Sequence, residues 1–80
     1  MSRQVIVYST PFCPPCEGLK RYLTAHDVAF TVTDLMMDEA AAERLAEHNI
    51  RTAPALSVDG QLYAGTDLQP ARLDELLGLE

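Results

Sequence analysis

Val5-Ile6-Val7-Tyr8 is an unbroken apolar run whose first three residues are β-branched. A strand of that pattern has no face to give to water, so it predicts a central place in a sheet buried on both sides. The run stops at Ser9-Thr10-Pro11-Phe12-Cys13-Pro14-Pro15-Cys16, which holds both cysteines of the chain. Beyond it, Cys16, Leu19 and Leu23 recur at helical spacing, while Glu17, Lys20 and Arg21 fall elsewhere. This predicts an amphipathic helix from Pro15 to about Ala25, with Cys13 just ahead of its first turn.

Val28, Phe30 and Val32 then alternate with Ala29, Thr31 and Thr33, the pattern of a half-buried second strand. Asp38 is placed to cap a helix running to about His48, with Ala42, Leu45 and Ala46 inward and Asn49 ending it in the left-handed region. Alternation of this kind implies two parallel strands joined by a right-handed crossover. Ala55-Leu56-Ser57-Val58, Asp59-Gly60 and Gln61-Leu62-Tyr63 read as an antiparallel hairpin, because Asp-Gly suits a two-residue type I′ turn. Leu73, Leu76 and Leu77 mark a C-terminal helix with Pro70 in its first turn and Thr66 or Asp67 as an earlier cap.

A chain of 80 residues has material for one core, so residues 1–80 are expected to form a single domain; a monomer is expected. The hydrophobic share of 48% and charged share of 22% suit an ordinary soluble protein. Net charge is −6, and the basic residues are scattered rather than gathered into a stripe, which argues against a nucleic-acid partner. No apolar run approaches the ~18 residues of a membrane span. The apolar stretch after Arg3 is too short for a secretory signal, so the cytoplasm is the expected compartment. Thiols are kept reduced there, and a close cysteine pair is read as catalytic or metal-binding rather than as a structural staple.

A Cys-x-x-Cys pair on a strand-to-helix turn puts its first thiol where unpaired backbone N–H groups and the helix dipole favour negative charge. Such a site draws a thiol pKa from about 8.5 into the range of roughly 3.5–7.5. Cys13 is therefore the expected nucleophile, and Cys16, one turn deeper on the inward face, the resolving thiol. The Cys13 thiolate attacks a substrate disulfide; Cys16 then displaces the reduced product and closes a Cys13–Cys16 bond, which a reductant reopens. Pro15 disfavours helical geometry at Pro14 and so sets the expected helix start at Pro15. The prolines also remove two N–H donors, leaving the Cys16 N–H as the nearest backbone partner of the Cys13 sulfur.

Four features in order and spacing resemble the glutaredoxin family over essentially the whole chain. They are the apolar strand ending in Tyr8-Ser9-Thr10-Pro11, the Cys13-Pro14-Pro15-Cys16 motif, the Arg51-Thr52-Ala53-Pro54 segment, and the Ala64-Gly65-Thr66-Asp67 turn. The resemblance implies a minimal thioredoxin fold of the α/β class: β-α-β-α-β-β-α, with a four-stranded mixed sheet of order 2-1-3-4 and helices on both faces. It also implies that Pro54 is a cis proline facing the cysteines, with the backbone of Ala53 paired to an extended thiol substrate in the manner of strand addition. Gly65, Thr66 and Asp67 resemble the turn that binds the γ-glutamyl end of glutathione. Phe12, ahead of Cys13, is read either as an exposed aromatic on a partner-docking surface or as a plug on the core, with the surface reading preferred.

The resemblance makes the chain a dithiol-disulfide oxidoreductase and electron carrier, with no bound cofactor, acting on protein disulfides or glutathione mixed disulfides. Thr10 stands where glutathione-dependent members carry Lys, and Ala64-Gly65 where they carry Gly-Gly; Arg51 is left to meet a glutathione carboxylate. A related branch, the glutaredoxin-like redoxins serving ribonucleotide reductase, draws electrons from thioredoxin reductase, so the reductant is either that enzyme or glutathione. The rival reading from another class is an iron–sulfur or metal carrier that uses Cys13 from two chains. Pro15 argues against it by stiffening the turn beside Cys13. Zinc needs two ligands more than the pair supplies. His26 and His48 fall at helix ends as solvated residues that suit the dipole, and Met36-Met37 falls in a loop or partly in the core, so no metal site is expected.

Overall fold

The computed structural model describes residues 4–51 and 53–78. The elements are β1 (Val5–Ser9), α1 (Pro14–Ala25), β2 (Thr31–Asp34), α2 (Glu39–Glu47), β3 (Ala55–Val58), β4 (Gln61–Ala64), a 3-10 turn (Gly65–Leu68) and α3 (Pro70–Leu77). They form a four-stranded mixed sheet of order β2-β1-β3-β4, the expected thioredoxin fold. β1 runs parallel to β2, with Ile6 opposite Thr31, and antiparallel to β3, with Val7 opposite Leu56.

The apolar run accounts for this placement. Val5 and Val7, with Leu56 and Val58 beside them, pack against Leu19 and Leu23 of α1 and Leu73 and Leu77 of α3. Tyr8 and Ala55, on the opposite face, pack against Leu45 of α2. β1 thus has helices on both sides, and its carboxyl end is fixed where the cysteine motif begins.

Local chemistry sets the breaks. The Asp38 carboxylate accepts the Ala41 N–H at 3.0 Å as the cap of α2. Asn49 ends that helix at φ 60, a left-handed value that asparagine tolerates. Asp59 and Gly60 both have positive φ, 50 and 92, as the type I′ hairpin requires. Asp59 also ties the hairpin to the start of β1, accepting the Gln4 N–H at 2.8 Å.

Four expectations need correction. β2 is Thr31–Asp34, not the alternating stretch from Val28. Val28 and Phe30 lie in the connection after α1, partly buried against the α1/α3 core, while Val32 is left 47% exposed on an edge strand. The alternation reflected packing of the returning chain and not a ladder. Helix α1 starts at Pro14, one residue earlier than expected, with Cys13 as its cap; the restriction that Pro15 places on its predecessor does not keep Pro14 out of a first turn. Ala46 is exposed, because α2 turns only Leu45 fully inward. Asp67 does not cap α3, since a separate 3-10 turn intervenes and Gln69 takes that place without a side-chain bond.

Candidate active site

Cys13 terminates the loop after β1 and is the N-cap of α1, with φ −114 and ψ 96. Its sulfur accepts the Cys16 N–H at 3.3 Å, and its carbonyl accepts the Glu17 N–H at 3.2 Å. That sulfur therefore occupies the place a serine or aspartate oxygen takes in an ordinary cap, facing the positive end of the helix. Pro14 and Pro15 contribute no N–H, which leaves Cys16 as the backbone donor to it. Cys16 is 1% exposed and Cys13 half-buried. The two sulfurs face each other as a disulfide pair across a Cα–Cα distance of 5.2 Å.

Phe12 is 102% exposed and holds φ 57. It borders a shallow hollow of about 730 Å³ together with Cys13, Pro14, Glu17, Gly18 and Arg21. On the other flank of α1 lies a narrower groove of about 330 Å³, where Pro15, Gly18 and Tyr22 face Ala53, Pro54 and Pro70. The Ala53–Pro54 peptide is cis, and the groove brings this pair next to the second half of the cysteine motif.

One wall of the groove is held by Tyr22, whose O–H donates to the Asp74 carboxylate, with the Pro70 carbonyl 3.3 Å from the same oxygen. The Asp74 bond, then burial, then the Asp74 charge raise the Tyr22 pKa above its ordinary value. The Tyr22 ring also lies against His26, tilted by 44° at a centroid separation of 4.4 Å.

Arg51 is exposed and makes no ion pair among the described residues. It shares a polar hollow of about 670 Å³ with Asn49, Gly65 and Asp67, on the α2 side of the sheet. Gly65 has φ 64, the left-handed value that favours glycine at the start of the 3-10 turn. Asp67 is paired with Arg72 at 3.4 Å, and Arg72 in turn with Glu75 at 2.9 Å. Thr52 lies outside the described residues, as does the side chain of Thr66. The sites expected from sequence thus fall into two groups. Phe12, Cys13 and Cys16 lie at the start of α1 and Ala53 and Pro54 line the groove on its flank, whereas Arg51 and Asp67 line the polar hollow; Gly65 borders both the groove and that hollow.

Sequence reasoning missed Gly18, Tyr22 and Arg72. Gly18 left a legible signal, a glycine inside an amphipathic helix. Tyr22 and Arg72 left none, because their partners are set by how α3 and the 3-10 turn lie in space.

Among the described residues no three His, Cys, Asp or Glu side chains converge as metal ligands. Met36 and Met37 stand exposed in the turn before α2. No described helix is long and apolar enough to cross a membrane.

The glutaredoxin family's sequence profile matches residues 5–63. The chain belongs to the glutaredoxin family. It is a thiol-disulfide oxidoreductase with a Cys-x-x-Cys pair. It is 29% identical over 72 residues to the glutaredoxin-like protein NrdH of Lactococcus lactis subsp. cremoris, covering 90% of this chain and 97% of that one. The crystal structure of the thioredoxin-like protein BC3987 superposes with a TM-score of 0.79 at 34% identity, covering 91% of this chain and 99% of that one. The NrdH-redoxin of Escherichia coli, whose activity profile is described as thioredoxin-like, shares the fold at a TM-score of 0.79 with 21% identity, covering 96% and 95%.

Proposed function

We propose that this glutaredoxin reduces protein disulfides through Cys13 and Cys16, working as a monomer in the cytoplasm, and receives its electrons from a thioredoxin reductase. The observation that carries the reading is the Cys16 N–H directed at the Cys13 sulfur while the Cys16 side chain itself is buried. One thiol is offered to a partner with its anion stabilised; the other is withheld until needed.

The Cys13 thiolate attacks one sulfur of the substrate disulfide, that bond breaks, and the departing sulfur takes up a proton. A mixed disulfide now joins Cys13 to the substrate. Cys16 loses its proton and attacks the Cys13 sulfur, releasing the second substrate thiol and forming the Cys13–Cys16 bond. Two electrons have passed to the substrate, and the reductase restores them from NADPH.

The backbone of Ala53, beside Pro54, supplies the edge along which the substrate segment lies. Phe12 meets the partner from the other flank. The glutathione contacts expected at Arg51, Thr52, Gly65, Thr66 and Asp67 form a weaker set. Thr10 offers no cation, the Asp67 carboxylate is engaged by Arg72, and among the described residues lining the polar hollow Arg51 is the cation left for a carboxylate. Similarity to an NrdH protein along nearly the whole chain supports the same choice of reductant.

The test is to give the oxidised protein NADPH with a bacterial thioredoxin reductase, and separately NADPH with glutathione and glutathione reductase. NADPH consumption is expected to be at least about tenfold faster in the first arm, a difference of about 1.4 kcal/mol in barrier. Equal rates, or a faster glutathione arm, contradict the choice of reductant while leaving the dithiol chemistry in place.

A further inference from the structure

Gly18 occupies the interior of α1, on its exposed side. Its backbone is outside the positive-φ region that calls for glycine, and a Cβ built on it meets nothing within 4 Å among the described residues. Neither conformation nor packing among the described residues gives a reason for glycine, which weakens an exposed helix relative to alanine. Two positions later, Lys20 folds back onto Glu17 at 2.8 Å, so the flanking charges neutralise each other.

Gly18 is also the point where the two depressions meet, since it lines both the groove beside Pro54 and the hollow beside Cys13. It forms a low saddle across the helix. At one end of the saddle stands Phe12, fully exposed and in a left-handed conformation that disfavours a bulky residue. Two residues that cost the isolated fold stability thus sit at the same crossing, and Cys13 lies on it.

We propose that Gly18 is a specificity-determining residue: an extended segment of a disulfide-bearing protein crosses α1 at this saddle, its apolar side chain against Phe12 and its backbone close over Gly18. The occupant is fixed by continuity with the reacting sulfur, because a segment whose disulfide reaches Cys13 must already lie in the hollow that Gly18 shares. Small disulfides reach Cys13 without crossing the helix. The saddle therefore selects protein disulfides over small ones, an inference that rests on the protein-disulfide reading above.

The test compares reduced wild type, Gly18→Ala and Gly18→Leu against insulin and against 2-hydroxyethyl disulfide, together with thermal melts. Gly18→Ala should melt about 3–6 °C higher, since the helix gains and nothing clashes. The ratio of insulin rate to small-disulfide rate should fall about threefold in Gly18→Ala and at least about tenfold in Gly18→Leu, whose side chain blocks the saddle. An unchanged ratio in Gly18→Leu, or a Gly18→Ala protein that melts lower, overturns the saddle. A wild-type protein that leaves insulin intact overturns instead the reading on which the saddle rests.

Discussion

Cys13→Ser is expected to lower disulfide reduction at least about a thousandfold, because a hydroxyl does not ionise at neutral pH and the thiolate is the nucleophile. Folding should be preserved. Cys13 is half-buried at the N-cap of α1, and serine is among the residues best suited to accept the Cys16 N–H there. Cys16→Ser should behave differently. It leaves the first attack possible but removes the group that resolves the mixed disulfide, so a covalent adduct accumulates and is seen as an added substrate mass. A Cys16→Ser protein that turns over a protein disulfide at the wild-type rate is incompatible with a resolving role for that thiol.

Leu56→Ala should have the largest effect on stability. Leu56 is 0% exposed in β3, opposite Val7 on one side and Tyr63 on the other, and belongs to the α1/α3 core. Truncating a buried leucine loses transfer free energy and leaves a cavity, together about 3 kcal/mol. In a domain this small that lowers the melting temperature by roughly 12–24 °C. Val32→Ala on the exposed edge strand β2 should cost less than about 0.5 kcal/mol. Chemical denaturation of both variants checks the contrast; equal losses would mean that the sheet edge is packed as tightly as its centre.

The legible parts of the fold were those written in local chemistry. Asp38 capping α2, Asn49 and Asp59-Gly60 in left-handed turns, and Pro70 opening α3 each depend on one residue's own backbone preference. The buried strand was legible for a similar reason, since a wholly apolar run allows no exposed face. β2 was misread because Val28 and Phe30 owe their apolar character to packing beneath the sheet, which produces the same period over a short stretch. Of the site, the cysteine pair was legible from its spacing and its place between strand and helix. The groove was not. Its wall depends on Tyr22 reaching Asp74, 52 positions away, a tie that leaves no periodic trace.

The roles assigned to the two sulfurs are tested most directly by partial alkylation of the reduced protein with iodoacetamide near pH 6.5, followed by peptide mass analysis. If the helix end holds Cys13 as the thiolate and burial shields Cys16, the label goes to Cys13 at least about ten times faster. Equal labelling, or label appearing first on Cys16, would contradict the account.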